Sequence, residues 1–265
     1  TNLTNDTAVL QPIETDFVAG DAKGTPGIIL DEGTFAPTHS LKRFMQPLQN
    51  ITLGPKATGI VKLQLQVPLT AQAGGYFGAL RFAPPGKANQ PVALSSSVAS
   101  LVLMTVPGPA VEKLELTNFD VQQNGTTGGS FRDPKNLSLL VRFKNSGNLQ
   151  LAPFGQVAVL KGKKVIYTYA FNQQDPKGMV LPDSARRWEV PLKNIGKFGK
   201  YTVSGTFGYG TGQSVEVKKT VWIVPTSYII GVVGGFLLLI ALIVGIRVFF
   251  KAYRRRVLNT SYRGR

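Results

Sequence analysis

The side chains that most often carry catalysis and metal binding are scarce in this chain. It has 265 residues, no cysteine and a single histidine, His39. Zinc sites of the Cys/His type and Cys–His nucleophilic catalysis need more of these side chains. A Ser–His–acid triad would have to use His39, and the chain contains no GxSxG nucleophile elbow. We therefore expect no metal site, no cofactor and no enzymatic activity.

Acidic side chains are also sparse, since Asp and Glu total 14. Asp31-Glu32 is the only adjacent pair, and the following Gly33 favours a turn there. Glycoside hydrolysis needs two carboxylates that meet in space, and spacing along the chain leaves that arrangement open. The chemistry of this sequence nevertheless points to binding rather than catalysis.

One segment predicts a membrane span. Residues 229–246 are eighteen consecutive apolar residues, and adjacent apolar positions extend the predicted helix to 228–250. At 1.5 Å per residue, the eighteen residues alone cover about 27 Å, close to the hydrocarbon thickness of a bilayer. Aromatic and basic side chains flank this run, as expected at a membrane interface. These predicted interface residues are Trp222, Tyr228, Arg247, Lys251, Arg254, Arg255 and Arg256.

Charge sets the expected orientation of the span. Residues 247–265 carry seven basic side chains and no acidic one, so the positive-inside rule places the tail 251–265 in the cytoplasm and the preceding region outside the cell. A start at Thr1 fits a mature chain whose signal peptide has been removed. Gly231 and Gly235 form a GxxxG pair, which predicts a helix-association face and a possible homo-oligomer through the span.

The region before the span has the pattern of β structure. Residues 59–67 alternate between apolar and polar side chains, which is typical of a half-buried strand. Turn-forming residues at 161–164 and 210–213 predict two hairpins. Pro107-Gly108-Pro109 predicts a linker over 107–110. We expect a mainly β fold with two tandem immunoglobulin-like sandwiches, 1–106 and 111–224, followed by a single transmembrane helix.

Basic charge is concentrated in the second of these regions. The formal net charge is +16, and residues 111–225 contain 16 basic and 8 acidic side chains, against 7 and 6 in residues 1–110. An extracellular excess of lysine suits polyanions such as acidic glycans or anionic lipid headgroups, whereas the predicted location disfavours nucleic acid. A solvated basic surface without a ligand has the same composition.

Several segments resemble one known family. The alternating residues 59–67, the segment 73–82 with its Gly74-Gly75 pair, and the run Asn145-Ser146-Gly147-Asn148 resemble WxL-interacting bacterial cell-surface proteins. That resemblance implies a peptidoglycan-binding domain, a companion immunoglobulin-like domain that binds surface proteins, and a C-terminal membrane anchor. It supplies no binding motif that can be transferred residue by residue.

The expected function is non-enzymatic anchoring or scaffolding at the bacterial plasma membrane, with peptidoglycan, another wall polymer or a surface protein as partner. Two alternatives remain: an adhesion or assembly component that contacts proteins through exposed strand edges, and a polyanion binder that uses the basic second region. Within residues 76–82, Tyr76 lies on the face expected to be core, while Phe77 and Arg81 on the opposite face are the candidate ligand-binding residues.

Overall fold

The described residues fold mainly into β-strands, which form three sheets followed by one C-terminal helix. The computed structural model describes residues 1–85 and 97–261, and of residues 252–261 only the backbone. Residues 262–265, which include part of the predicted basic tail, lie outside the described part. The first sheet uses residues before 107, and the other two sheets use residues from 114 to 223. We call these two regions the first half and the second half.

The first half contains one sheet in its described residues, where the sequence predicted a two-sheet sandwich. The strand order is β2-β1-β4-β5, and β3 pairs with the opposite end of the long strand β1. A short 3₁₀ helix, Lys42–Phe44, covers one face of this sheet. Its strands are β1 (Ala8–Ala19), β2 (Pro26–Ile28), β3 (Ile51–Leu53), β4 (Gly74–Ala83) and β5 (Val98–Val106).

Residues 59–67 do not form the strand that their alternation predicted. Leu65 makes one isolated antiparallel bridge with Met45, and the N–H of Gln66 donates to the carbonyl oxygen of Phe44. The segment is therefore paired with the irregular chain after the 3₁₀ helix. Leu65 still packs beside Leu41 and Met45. The alternation correctly indicated which side chains are buried, but burial alone does not create a ladder of backbone hydrogen bonds.

The second half is a pair of facing sheets that share one hydrophobic core. One sheet has the order β11-β10-β13-β14-β8 and the other β12-β9-β6-β7. Both predicted hairpins, β10–β11 and β13–β14, are confirmed by their strand registers. The strands are β6 (Leu114–Gln123), β7 (Thr126–Thr127), β8 (Ser130–Phe131), β9 (Leu137–Asn145), β10 (Phe154–Lys161), β11 (Lys164–Phe171), β12 (Ala185–Pro191), β13 (Gly199–Tyr209) and β14 (Gln213–Ile223).

Three fully buried phenylalanines form the centre of this core. Phe207 lies 4.9 Å from Phe171 and 5.3 Å from Phe143 between ring centroids, both in edge-to-face geometry. Aromatic pairs in this geometry add to the stabilisation that comes from burial itself. The alternation of side chains along β9, β11 and β13 brings these rings inward, because successive side chains point to opposite faces of a strand.

The C-terminal helix, α1 (Thr226–Ser261), begins three residues after β14 ends. Within it, Thr226–Lys251 is a 26-residue segment long and apolar enough to cross a membrane. The helix starts two residues before the predicted span and continues through residues expected to be a separate tail. Arg254, Arg255 and Arg256 lie on this helical extension, but their side chains are outside the described part.

Candidate functional site

Two of the segments that carry the family resemblance meet where the halves join. The Gly75 N–H donates to the Asn148 carbonyl oxygen (2.8 Å), and the Asn148 side-chain amide donates to Ala73 (3.0 Å) and Pro109 (3.1 Å) carbonyl oxygens. The Asn148 side-chain oxygen accepts the N–H of Val111 (2.8 Å). Asn148 therefore ties the first sheet, the linker and the second half together.

Glycine is required at this junction for a steric reason. Gly74 has a φ of +143°, and a Cβ at this position would lie 2.7 Å from the Asn148 carbonyl oxygen. A side chain there would force the two backbones apart. The paired glycines seen in the sequence thus permit close approach between the halves, which is a structural role rather than a ligand-binding one.

Phe77, predicted to bind ligand, is buried in the contact between the halves. Its exposed fraction is 3%, and it forms a buried cluster with Phe17 and Ala79 of the first sheet, against which Leu181 of the second half packs. Its ring lies 5.9 Å from that of Phe17, in edge-to-face geometry. Phe77 consequently offers no open aromatic face for stacking on a sugar in this structure.

Arg81, the other predicted ligand-binding residue, lies on the same face of β4 as Phe77 and is partly buried. Two of its guanidinium nitrogens, Nε and Nη1, are buried and have no hydrogen-bond partner among the described residues. Ligand binding by Phe77 and Arg81 stays a prediction. The contacts of Phe77 favour a role in holding the halves together.

An apolar cavity of about 130 Å³ lies beside this contact. Leu101 and Leu103 of β5 form one side, and Met179 and Leu181 of the second half form another. Arg186 also lines the cavity, and its guanidinium lies 5.1 Å from the centre of the Trp188 ring. Burial lowers the pKa of Arg186, and the negative charge of Asp21 partly opposes that change. Asp21 also lines the cavity, which is therefore mainly apolar with one acidic and one basic side chain at its border.

The strand β5 next to this cavity has a free edge in the described part of the chain. The N–H groups of Gly75 and Phe77 bond to Asn148 and His39, away from β5. Backbone groups alternate in direction along a strand, so Tyr76 and Gly78 are the residues that bond to β5. Their partners are Met104 and Val102.

The β5 residues that alternate with Val102 and Met104 consequently point their backbone groups away from β4, toward the free edge. Leu101 and Leu103 direct N–H and C=O groups away from β4, and each of the two side chains is 41% exposed. Val98, at the start of the strand, is 75% exposed. An edge with free backbone groups and exposed apolar side chains is a template for pairing with another strand. The apolar run 98–106 was visible in the sequence, but only the strand order shows that it lies at an edge.

A second cavity, of about 560 Å³ and mainly polar, lies on the other side of the junction. His39, Arg43 and Tyr76 line it from the first half, and Ser146 and Asp183 line it from the second. Ser40 also lines it, and its hydroxyl is buried and has no hydrogen-bond partner among the described residues. The lining could satisfy hydroxyl, amide or carboxylate groups of a polar ligand.

This polar cavity lacks a catalytic arrangement in the described part of the chain. His39 Nδ1 lies 2.6 Å from the Gly75 carbonyl oxygen, and no hydrogen bond joins it to a serine or a carboxylate. No group of three His, Cys, Asp or Glu side chains that could hold a metal occurs among the described residues.

The loop that carries Asp21 is a second contact between the halves and gives a pH prediction. The Asp21 carboxylate accepts hydrogen bonds from the Thr25 N–H (2.9 Å), the Thr25 hydroxyl (2.9 Å) and the Lys23 N–H (2.8 Å). The bonds from Thr25 are the main reason that the pKa of Asp21 lies below 3.8. The next residue, Ala22, accepts the Arg187 N–H through its carbonyl oxygen (2.6 Å).

Because the pKa of Asp21 is lowered in the folded chain, the stabilisation of this loop is present above the ordinary pKa and is lost as the pH falls through the folded value. We expect acidification below about pH 4 to change the fluorescence of the nearby Trp188. A Trp222→Phe background isolates that signal, and Asp21→Ala should remove the transition. A transition that persists in Asp21→Ala would show that another group causes it.

The predicted interface residues lie on both sides of the apolar segment of α1. Trp222 and Tyr228 are 46% and 54% exposed at its N-terminal side, and Arg247 and Lys251 are exposed at its C-terminal side. This order along the helix matches the expected flanks of a span. Their contact with a membrane stays a prediction.

Gly231 and Gly235 lie one helical turn apart, and an added Cβ at either position would meet no other atom. The space beside these glycines is open, and self-association of the helix through them stays a prediction. We expect leucine at both positions to abolish detergent-resistant dimers, because the helices could no longer approach closely. Crosslinking or gel filtration in detergent tests this, with Gly245→Leu as a single-site control. An oligomer size that is unchanged in the double variant would contradict helix association through this pair.

Comparisons with known proteins assign no family. No family model matches the chain, and no curated protein matches it either. Among solved structures, the CupB2 chaperone of Pseudomonas aeruginosa aligns with a TM-score of 0.31 at 12% identity, covering 83% of this chain and 89% of that one. The E. coli chaperone DraB aligns with a TM-score of 0.32 at 13% identity, covering 84% and 86%. These scores are too low to assign a shared fold or function.

Proposed function

We propose that this chain is a non-enzymatic, membrane-anchored surface protein that binds an extended segment of another protein along the edge of β5. The single observation that carries the proposal is the outward direction of the backbone groups of Leu101 and Leu103, combined with their exposed side chains. Strand addition at such an edge uses main-chain hydrogen bonds for affinity and side-chain pockets for specificity.

The apolar cavity supplies the specificity element. A strand added to β5 would place every second side chain on the same face as Leu101 and Leu103. That face continues into the cavity bordered by Met179 and Leu181. The partner segment is therefore expected to be extended and to carry alternating apolar side chains.

The architecture we propose around this site has two domains, 1–106 and 111–224, joined by the linker 107–110, with an immunoglobulin-like sandwich in the second. The apolar part of α1 would anchor them as a single span. The basic residues after it favour a cytoplasmic tail and an extracellular β region. In this arrangement β5 belongs to the first half, and the second half lies between it and the membrane helix along the chain.

A backbone substitution tests the binding proposal. Leu103→Pro removes an outward N–H and leaves the bonds between β4 and β5 intact, since proline is tolerated at strand edges. We expect it to remove the proteins that co-purify with the full chain from native membranes, while Leu103→Ala, which retains the N–H, only weakens their association. Equal recovery of partner proteins with Leu103→Pro and the unchanged chain would contradict strand addition.

The polar cavity favours a second candidate, a cell-wall glycan or its peptide stem. The unpartnered Ser40 hydroxyl and the polar lining are the observations behind it, and peptidoglycan binding is also what the family resemblance implies. Retention of the full chain on purified cell wall at low salt tests this candidate. Failure to be retained, together with loss of partners in Leu103→Pro, would leave protein binding as the function.

A further inference from the structure

The excess positive charge of the second half lies at one end of it. Three segments, 131–136, 161–164 and 192–200, hold eight of the sixteen basic residues between 111 and 225 but only one of the eight acidic residues. The rest of the second half contains eight basic and seven acidic residues and is nearly neutral. The charge asymmetry noted in the sequence is therefore local.

The strand registers place these segments at the end from which α1 emerges. Gly199, at the start of β13, pairs with Ile223, at the end of β14. Leu160 of β10 pairs with Thr202 of β13, so the β10–β11 hairpin turn lies at the same end. The Val224 N–H donates to the Phe131 carbonyl oxygen (2.9 Å), which adds segment 131–136. We call this end the basic base.

Exposed lysines from the hairpin turn and from the loop before β13 form most of the base. Lys161 at the end of β10 and Lys163 of the turn are exposed. Lys193 and Lys197 of the loop and Lys200 at the start of β13 are exposed as well. The Lys161 ammonium lies 5.5 Å from the centre of the Tyr201 ring. No salt bridge joins any of these lysines to an acidic side chain within the described residues. Their charges are therefore available to an external anion.

Aromatic side chains connect the base to the first turn of α1. Phe198, which is 47% exposed, lies 4.6 Å from Tyr228 between ring centroids. The Lys200 ammonium lies 5.9 Å from the centre of the Trp222 ring. Aromatic and basic side chains next to each other at the start of a membrane helix suit the headgroup region of a bilayer.

We propose that the basic base docks on anionic lipid headgroups of the leaflet from which α1 emerges. This inference rests on the proposed membrane anchoring of α1. Only Val224 and Pro225 separate β14 from the helix, so the base is the end of the second half nearest to the start of the anchor. Lysine ammonium groups there are attracted by phosphate headgroups, while their aliphatic stems remain against the protein. Docking of the base would then restrict how far the second half can tilt relative to α1.

The test compares two four-residue variants of the full chain in bilayers of phosphatidylcholine and phosphatidylglycerol. The base variant is Lys163→Gln, Lys164→Gln, Lys193→Gln and Lys197→Gln. The control variant removes four exposed basic side chains elsewhere in the second half, through Arg142→Gln, Lys144→Gln, Lys177→Gln and Lys218→Gln. Both lose the same charge and leave α1 and its C-terminal basic residues intact.

The measured quantity is the association of spin-labelled phosphatidylglycerol relative to spin-labelled phosphatidylcholine. We expect the base variant to lower this ratio by about fivefold or more, the effect of losing one lysine contact with an anionic surface, and the control variant to leave it near the original value. High salt should lower the ratio of the unchanged chain toward that of the base variant.

Equal ratios in the base variant and the unchanged chain, or equal losses in both variants, would overturn the inference. Extraction of the chain from membranes by alkaline carbonate distinguishes this failure from failure of the anchor. A chain that resists extraction but shows no lipid selectivity contradicts docking alone. A chain released by carbonate contradicts the membrane anchoring on which the docking rests.

Discussion

Replacing Phe207 by alanine should lower the free energy of unfolding of the second half by about 3–5 kcal/mol. Phe207 has no exposed surface and packs edge-to-face against Phe119, Phe143 and Phe171. Its removal therefore leaves a cavity between the two sheets, whose hydrogen-bonded strands cannot move together to fill it. The loss combines the hydrophobic transfer of the ring with the cavity term. Urea unfolding of the full chain in detergent, followed by near-ultraviolet circular dichroism, measures it.

Phe154→Ala is the matched control for this prediction. Phe154 lies on the neighbouring strand β10, opposite Gly208, and is 41% exposed. Its truncation should cost about 1 kcal/mol or less, because partly exposed positions away from the core are tolerant. Similar losses for Phe154→Ala and Phe207→Ala would show that the two sheets do not share the tightly packed core described above.

Replacing Asn148 by alanine should uncouple the two halves. The substitution removes three side-chain hydrogen bonds, to Ala73, Val111 and Pro109, and leaves two carbonyl oxygens and one N–H without these partners. At about 1 kcal/mol net for each bond, the expected loss is roughly 2–4 kcal/mol of coupling free energy. We expect the amide of Gly75 to exchange with deuterium faster, while amides in the Phe207 core keep their protection.

Gln150→Ala provides the control at the same junction. Gln150 makes a single exposed hydrogen bond across it, from its amide to the Thr105 hydroxyl (3.3 Å). This variant should leave exchange at Gly75 nearly unchanged. If Asn148→Ala behaves like Gln150→Ala, the junction is held by apolar contacts around Phe77 instead of by Asn148.

The sequence predicted the features of this fold that depend on local pattern. Alternation and turn residues identified the β10–β11 and β13–β14 hairpins, because both signals lie within a few neighbouring residues. The apolar helix was likewise evident from one continuous run. For residues 59–67 the alternation did not predict the backbone structure. It reflects burial of side chains against Leu41 and Met45, whereas the backbone pairs with an irregular segment that has no periodic pattern.

The candidate site was less predictable, since it depends on contacts between distant residues. The alternation along 76–82 places Phe77 on the opposite face from Tyr76, which makes it a ligand candidate only if that face is open. Leu181, from the other half of the chain, packs against the cluster that contains Phe77, and nothing near Phe77 in the sequence indicates this contact. The edge position of β5 likewise follows only from strand order. Gly75 and Asn148 lie far apart in the sequence, and the structure shows that the Gly75 N–H donates to the Asn148 carbonyl oxygen.

The central claim, that β5 receives a strand from another protein, is tested most directly by photocrosslinking in living cells of the source organism. Benzoylphenylalanine replaces Ser100, an exposed residue of the β5 edge, in one variant and Thr168, an exposed residue of the edge strand β11, in another. We predict a discrete crosslinked product from position 100 that disappears when Leu103→Pro is added, and none from position 168. Absence of a product at position 100, or a product that survives Leu103→Pro, would contradict binding at this edge.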